Sequence, residues 1–300
     1  MNEPVGFIGL GLMGGPMAIN VLKAGNRLRV FNRSPEKVVP LTELSAHACR
    51  TPAEVAEAGG IVVTMIADDA VLEQVTFGKD GFASRLGKGG IHLSMSTVSA
   101  ETSRSLAARH RELGADYVAA PVFGRPNAAQ AAKLWICQSG AAAAKQRVRP
   151  LLDAMGQGVY DFGEEVGAAN IAKLAGNFMI AAALEAMAEA YTLAEKNGLD
   201  RRALSDFLTQ TIFSAPVYAN YGGIVAAKQA DWIGFVLRLA LKDLDLVRAA
   251  AASSNVPMPF ANVVHDRLLS AIAKGRGEED WTAFTQGAVE DAGLPLREQG

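Results

Sequence analysis

The feature that most constrains the fold is a glycine-rich turn near the start of the chain. Gly9, Gly11 and Gly14 follow the apolar run Val5–Leu10, and a helical pattern over Pro16–Ala24 comes next. In this strand–turn–helix context the first glycine permits the turn, the second lets the backbone approach a pyrophosphate, and the third lets the helix pack on its strand. The free N–H groups of the helix then face the phosphates. The residues predicted here to hold a dinucleotide are Gly9, Gly11, Leu12, Met13 and Gly14. The alternative is a glycine-rich turn of another parallel α/β protein.

Composition limits the partners. The chain has 300 residues, of which 50% are hydrophobic and 20% charged, and its net charge is −2. This balance is typical of a globular protein and argues against nucleic acid or an anionic membrane as the main partner. No uninterrupted apolar run is long enough to span a bilayer. Cys49 and Cys137 indicate no disulfide framework, so the cytoplasm is the expected location. The four histidines are scattered without metal-ligand spacing, and we expect no metal site.

Two kinds of pattern divide the chain. Up to residue 163, short apolar runs alternate with amphipathic stretches, which predicts a mostly parallel sheet with helices on both faces. After it, only helical patterns are evident, with Gly222 and Gly223 as punctuation. We therefore predict an α/β Rossmann dinucleotide-binding domain over 1–163 and an all-helical domain over 164–300, joined by a long helix. The predicted strands are Val5–Leu10, Leu28–Phe31, Ile61–Ile66, Ile91–Met95, Tyr117–Ala119, Leu134–Cys137 and Val159–Phe162. The predicted helices of the second half are Val166–Asn197, Arg201–Thr211, Trp232–Ser254 and Phe260–Lys274.

The end of the second strand bears on the cofactor. NAD-binding versions of this fold place an acidic residue there for the ribose hydroxyls. Here the strand is followed by Asn32, Arg33 and Ser34, with no Asp or Glu. These side chains suit a 2′-phosphate, so we predict NADP, with NAD possible. The alternative is that Arg33 is a solvated surface residue.

One helical segment carries polar residues on a single face. Asn170, Lys173 and Asn177 are spaced by three and four, whereas the opposite positions are apolar. A lysine in a partly dry cleft exchanges a proton near neutrality more readily than an exposed one. The residues alone favour an exposed Lys173, since lysine is mostly exposed.

These segments together resemble the β-hydroxyacid dehydrogenase family, which includes 3-hydroxyisobutyrate dehydrogenase and the glyoxylate/succinic semialdehyde reductases. The resemblance covers nearly the whole chain. Gly6–Asn20 is similar to the family's cofactor signature, Gly167–Asn177 to its catalytic segment, and Leu241–Leu246 to its late Lys-Asp-Leu segment.

The resemblance implies roles for individual residues. Lys173 would be the catalytic acid and base and Asn177 its partner, while Lys242 would reach the cofactor. Met65 and Ile66 would lie in the loop over the cofactor, and Ser96 and Thr97 near the nicotinamide, with Ser96 on the substrate side. The resemblance also implies a small, carboxylated substrate and a homodimer or homotetramer.

The substrate segment departs from the family's pattern. Where the family usually has Ser-Gly-Gly after Pro-Val, this chain has Phe123, Gly124 and Arg125. Arg125 would clamp a carboxylate, or Phe123 would line an apolar pocket for another substrate; a solvated Arg125 is the plain alternative.

Three functions compete. The first is an NADP-linked enzyme that interconverts a 3-hydroxy acid or ω-hydroxy acid and its semialdehyde or keto acid. The second is an imine reductase on the same architecture, which Lys173 disfavours and the altered substrate segment favours. The third is a non-catalytic dinucleotide-binding module.

Overall fold

A computed structural model of the chain describes residues 5–296. The described chain divides into two compact units, an N-terminal unit up to Lys173 and a C-terminal unit from Leu174 onwards.

The N-terminal unit is built on a nine-stranded sheet. Strands β1 to β6 are all parallel, in the order β3-β2-β1-β4-β5-β6 of a dinucleotide-binding fold. Strand β8 runs antiparallel to β6 and β7, and β9 extends the sheet parallel to β8. The strands are β1 (Val5–Ile8), β2 (Leu28–Phe31), β3 (His47–Ala48), β4 (Ile61–Thr64), β5 (Ile91–Ser94), β6 (Asp116–Ala119), β7 (Val122–Phe123), β8 (Leu134–Gly140) and β9 (Gly156–Asp161).

Helices follow most of these strands, and local side chains start several of them. Asp68 and Ser99 accept hydrogen bonds from the Val71 and Thr102 backbone N–H groups, which would otherwise lack partners in a first turn. The helices are α1 (Gly14–Lys23), α2 (Val39–Thr42), α3 (Pro52–Val55), α4 (Asp69–Phe77), α5 (Ala83–Leu86), α6 (Ala100–Glu112), α7 (Pro126–Gln130) and α8 (Ala142–Met155), with a 3₁₀ turn at Pro35–Lys37. The predicted Rossmann fold is confirmed, although the two-residue strands β3 and β7 were missed because so short a run shows no periodicity.

The C-terminal unit is helical. Its elements are α9 (Ala168–Lys196, which begins in the N-terminal unit), α10 (Arg201–Gln210), α11 (Pro216–Ala226), α12 (Leu237–Ser253), α13 (Pro259–Ala273), a 3₁₀ turn at Trp281–Thr285, and α14 (Gln286–Asp291). The core between them includes Leu184, Tyr191, Leu244 and Phe284. The predicted all-helical fold of the second half is confirmed.

Two details of that half were predicted wrongly. Gly222 and Gly223 lie inside α11 rather than between helices. A Cβ atom on Gly222 would lie 2.8 Å from Thr209 Cγ2, so this glycine serves close helix packing. Helix α12 begins at Leu237 and not at Trp232, because the Asp280 carboxylate accepts hydrogen bonds from the Gly234 and Phe235 N–H groups and holds that segment outside the helix.

Helix α9 bears on the expectation that no apolar segment is long enough to span a bilayer. By length and composition alone this helix could cross a membrane, since an 18-residue window of it has a mean hydropathy of 1.4. Of that window, 50% is buried inside the protein. Glu185, near its middle, is fully buried and accepts a hydrogen bond from Arg267 at 2.7 Å. A core helix that pairs with a neighbouring helix through Glu185 and Arg267 accounts for the same length and apolar composition.

Two of the histidines that are scattered along the sequence, His92 and His110, lie together in the core. His92 Nδ1 and His110 Nε2 are 3.0 Å apart, and His92 Nε2 is 2.9 Å from Thr64 Oγ1. Burial lowers the pKa of His110 to about 4, with a further contribution from the charge of Arg109. Among residues 5–296, no group of three or more His, Cys, Asp or Glu side chains is placed to hold a metal ion.

Candidate active site

The glycine-rich turn has the geometry that its spacing predicts. Gly9 has φ +94°, in the left-handed region, and a Cβ atom on Gly14 would lie 1.9 Å from the Gly9 carbonyl oxygen. A Cβ atom on Gly11, in contrast, would meet nothing within 4 Å. Gly9 and Gly14 are therefore required by the fold itself, whereas the space beside Gly11 is open, as a cradle for a pyrophosphate must be. Leu12 is exposed and Met13 half-buried beside this opening.

Side chains from neighbouring strand ends support the turn. Asn32 Oδ1 accepts a hydrogen bond from Leu10 N at 2.9 Å, and its Nδ2 donates to the Ser34 carbonyl at 3.0 Å. Met65 N donates to the Ile8 carbonyl at 2.9 Å, which brings the loop after β4 to the turn. These contacts give Asn32 a supporting position beneath the predicted cofactor site.

The predicted Ser96–Thr97 pair follows β5. Ser96 is fully buried, and its Oγ accepts a hydrogen bond from Ile66 N at 2.8 Å. Its hydroxyl thus ties the ends of β4 and β5 together, which is a positioning contact. Thr97 is half-buried.

A groove beyond the end of β2 contains two arginines. Its lining includes Asn32, Arg33 and Arg50, and both arginines are exposed. Arg50 was missed by sequence reasoning because the strand before it, β3, was not predicted. Parallel strands end at the same edge of a sheet, so a basic residue directly after β3 is the signal that would have revealed it. With the open cradle at Gly11, these residues fit a dinucleotide.

Helix α9 starts against the sheet through several polar contacts. Ser139 Oγ, on β8, accepts a hydrogen bond from Ala169 N at 3.1 Å. Asn170 is almost completely buried; its Oδ1 accepts from Ser103 Oγ at 2.9 Å and its Nδ2 donates to the Val98 carbonyl at 3.2 Å. Asn170 is therefore an anchor that fixes the turn of helix from which Lys173 projects.

Lys173 is buried, contrary to the ordinary tendency of lysine. It is 8% exposed, and its Nζ lies 4.1 Å from the centroid of the Phe123 ring. An ammonium over an aromatic face is stabilised by the ring's quadrupole. Burial raises the pKa of the nearby Cys137 thiol, and the charge of Lys173 acts in the opposite direction.

In the altered substrate segment, Phe123–Arg125, one residue has a backbone torsion that favours glycine. Gly124 has φ +137°, whereas Arg125, at φ −96°, adopts a backbone that any residue allows. The loop therefore tolerates Arg125 without strain. Arg125 is half-buried at the N-terminus of α7.

Three polar residues of the C-terminal unit meet. Asn177, one turn after Lys173 on α9, donates through Nδ2 to Asp243 Oδ2 at 2.6 Å. Lys242 Nζ lies 2.8 Å from Asp243 Oδ1, and Asp243 is 2% exposed. Asp243 thus holds two of the predicted residues at once. Sequence reasoning did not select it, although it stands beside Lys242 in the Lys-Asp-Leu segment.

Comparisons with known proteins show which family this chain belongs to. The family model described as the NAD-binding domain of 6-phosphogluconate dehydrogenase matches residues 4–163. The model described as NAD-binding of NADP-dependent 3-hydroxyisobutyrate dehydrogenase matches residues 167–287. The chain is 31% identical to 3-hydroxyisobutyrate dehydrogenase of Pseudomonas aeruginosa over 94% of this chain and 96% of that protein. It belongs to the 3-hydroxyisobutyrate dehydrogenase family of NAD(P)-binding oxidoreductases.

Other relatives agree with this membership. The chain is 44% identical to an uncharacterised oxidoreductase, YfjR, of Bacillus subtilis, over 93% of this chain and 98% of that one. The crystal structure of a 3-hydroxyisobutyrate dehydrogenase from Salmonella typhimurium superposes with a TM-score of 0.85 at 27% identity, covering 95% of this chain and 99% of that one. An imine reductase of Streptomyces aurantiacus, at 22% identity and a TM-score of 0.64 over 95% of this chain and 99% of its own, shares the fold. The predicted family is confirmed.

Proposed function

We propose that this member of the family is an NADP-linked dehydrogenase that interconverts a 3-hydroxy acid and its semialdehyde, with Lys173 as the acid and base. The observation that carries the proposal is the burial of Lys173, whose Nζ lies against the Phe123 ring while Asn170 anchors its helix. Because burial disfavours the charged form of a lysine, a buried lysine is more typical of a functional site than of a solvated surface.

The chemistry divides between cofactor and protein. The residues at the glycine-rich turn would hold a nicotinamide cofactor, which would supply the hydride for reduction of the carbonyl carbon and would accept it in oxidation. Lys173 Nζ gives its proton to the carbonyl oxygen as negative charge develops there, and takes the proton back in the reverse direction. As a cation in the reducing direction, it also stabilises that oxygen. Asn177, oriented by Asp243, would hold the substrate hydroxyl, and Lys242 would help to hold the cofactor.

The preference for NADP rests on charge at the end of β2. Arg33 and Arg50 line one groove, and no carboxylate follows β2 at Asn32–Ser34. A 2′-phosphate there would be met by two guanidinium groups rather than repelled.

The proposal includes a homo-oligomer, either a dimer or a tetramer. Helix α9 presents an exposed stripe of Met179, Ala186, Ala190 and Leu193, with Met179 69% and Leu193 68% exposed. These residues are seven, four and three positions apart, so they lie on one face of the helix. The small alanines between the larger apolar residues would let another helix approach closely.

The experiment is oxidation of NADPH with a panel of small carbonyl compounds. It comprises glyoxylate, succinic semialdehyde, methylmalonate semialdehyde, tartronate semialdehyde and one cyclic imine. We expect turnover of at least one carboxylated aldehyde. Turnover of the imine alone would replace the proposal by imine reduction, for which Phe123 in place of the usual serine is the supporting observation. No turnover of any compound with NADPH or NADH would favour a non-catalytic module.

A further inference from the structure

The outer strands of the N-terminal unit carry an aromatic surface, formed by the half-buried Phe123 and the exposed Trp135 and Tyr160. Trp135 on β8 is paired with Phe123 of β7, and Cys137, two residues further on, is paired with Tyr160 of β9. Paired residues on neighbouring strands share a face, as do alternate residues of one strand. The three rings and the Cys137 thiol therefore lie on one side of the sheet.

The two outer rings are accessible and in contact. Trp135 is 44% exposed and Tyr160 57% exposed, and their ring centroids are 5.9 Å apart. Opposite Trp135 on β9 stands Gly158, where a Cβ atom would lie 2.5 Å from Trp135 Cζ3. The indole therefore lies over the backbone of β9, in space that any side chain at residue 158 would take.

This surface is continuous with the proposed catalytic lysine. Lys173 Nζ lies 4.1 Å from the centroid of Phe123, which is paired with Trp135. The charge of Lys173 also acts on the Cys137 thiol, beside Trp135 on the same face. The surface is therefore cationic at one end, where Lys173 lies, and apolar and aromatic at the other end, where Trp135 and Tyr160 lie.

We propose that the aromatic surface is a subsite for a large apolar group, preferably an aromatic ring, on the substrate. The inference rests on the proposed function and names its substrate class: a 3-hydroxy acid with a bulky apolar substituent. The oxygen atoms of such a molecule match the ammonium at one end, and its ring matches the rings at the other. Neighbouring strands lie about 5 Å apart, which a benzyl substituent spans. Aromatic rings stack favourably in offset or tilted arrangements.

The test compares two acids that differ only in this substituent, 3-hydroxypropionate and 2-benzyl-3-hydroxypropionate. Each is oxidised with NADP⁺ by the wild type, Trp135→Ala and Trp135→Phe. The control is Phe207→Ala, which removes a ring on α10 that is at least as accessible as Trp135, 60% exposed against 44%. We expect kcat/KM of the wild type to be about tenfold or more higher for the benzyl acid, and Trp135→Ala to remove most of that gain while 3-hydroxypropionate changes by less than about twofold. Trp135→Phe retains most of the gain, and the control retains all of it.

Several results would overturn the subsite. These are an equal or lower kcat/KM for the benzyl acid in the wild type, or an equal loss for both acids in Trp135→Ala. Dissociation of an oligomer by Trp135→Ala, measured by sedimentation, would assign the surface instead to a second copy of the chain.

Failure of the reaction itself is distinguishable. If neither acid is oxidised with NADP⁺ or NAD⁺, the proposed reaction fails, and calorimetric titration with 2-benzyl-3-hydroxypropionate decides the subsite. Affinity about tenfold weaker in Trp135→Ala than in wild type then supports it. Equal affinity, or no binding to the wild type, overturns it.

Discussion

The ammonium of Lys173 lies 4.1 Å from the centroid of the Phe123 ring, and Phe123 stands at the position where the sequence pattern of the resembled family has a serine. A serine hydroxyl would offer a hydrogen bond to a substrate carboxylate. The ring offers instead a cation–π contact that keeps Lys173 in place and an apolar wall beside it. The proposed acid and base thus has an apolar wall on this side, which suits the bulky substrate proposed above.

Gly11→Ala separates cofactor binding from folding. Because a Cβ atom there meets nothing within 4 Å, we expect the free energy of unfolding to change by less than about 0.5 kcal/mol. The added methyl group would occupy the space for the pyrophosphate, so NADPH affinity should fall by about tenfold or more. Calorimetry and urea unfolding measure the two effects. Gly14→Ala is the contrasting variant, since its Cβ atom would lie 1.9 Å from the Gly9 oxygen and destabilise the fold. Undiminished NADPH affinity in Gly11→Ala would contradict the site.

Arg33→Asp and Arg50→Asp test the cofactor preference. Each places a carboxylate in the groove beyond β2, where it repels a 2′-phosphate and can accept hydrogen bonds from ribose hydroxyls. We expect the ratio of kcat/KM for NADPH over NADH to fall by about tenfold or more in each variant. The control is Arg111→Asp, an exposed arginine at the end of α6. An unchanged ratio in both groove variants would show that neither arginine binds the phosphate.

Much of this arrangement follows from sequence, and the exceptions have physical causes. The glycine-rich turn was predictable because the left-handed torsion at Gly9 and the close contact at Gly14 both require glycine. The segment around Lys173 could be recognised in the sequence, but the burial of Lys173 could not be predicted. That burial depends on Phe123 and on Ser103, the partner of Asn170, which come from distant parts of the chain. Asp243 and Arg50 were missed for the same reason: their importance depends on long-range contacts and on a strand too short to be seen.

Asp243→Asn tests the pairing in the C-terminal unit. The amide lacks the charge that Lys242 meets at 2.8 Å and disturbs the 2.6 Å hydrogen bond from Asn177. We expect kcat to fall by about tenfold or more, because both residues lose their fixed positions. The matched control is Asp245→Asn, two residues further on, whose side chain is 55% exposed and which should retain wild-type kcat. Equal kcat values for the wild type and Asp243→Asn would remove Asp243 from the account.

The buried His92–His110 pair predicts loss of stability in acid. The pKa of His110 is about 4 in the folded protein and about 6.5 in an unfolded chain. Between these values the unfolded state binds the proton and the folded state does not, so the free energy of unfolding falls as the pH falls through this window. His110 accounts for about 2–3 kcal/mol of that loss between pH 7.5 and 4.5.

His110→Phe should remove this part of the pH dependence. It is also expected to lower stability at neutral pH by about 1–3 kcal/mol, because His92 Nδ1 loses its partner. Urea unfolding at the two pH values measures both effects, and the exposed His47→Gln is the control. An unchanged difference between the two pH values in His110→Phe would refute the assignment.

The most direct measurement is the turnover of Lys173→Ala, made alongside its affinity for NADPH. We expect NADPH affinity to stay within about threefold of the wild type while kcat for a carboxylated aldehyde falls by about a hundredfold or more, as is usual when a general acid is lost. Turnover equal to that of the wild type, with NADPH bound equally well, would show that Lys173 does not move the proton.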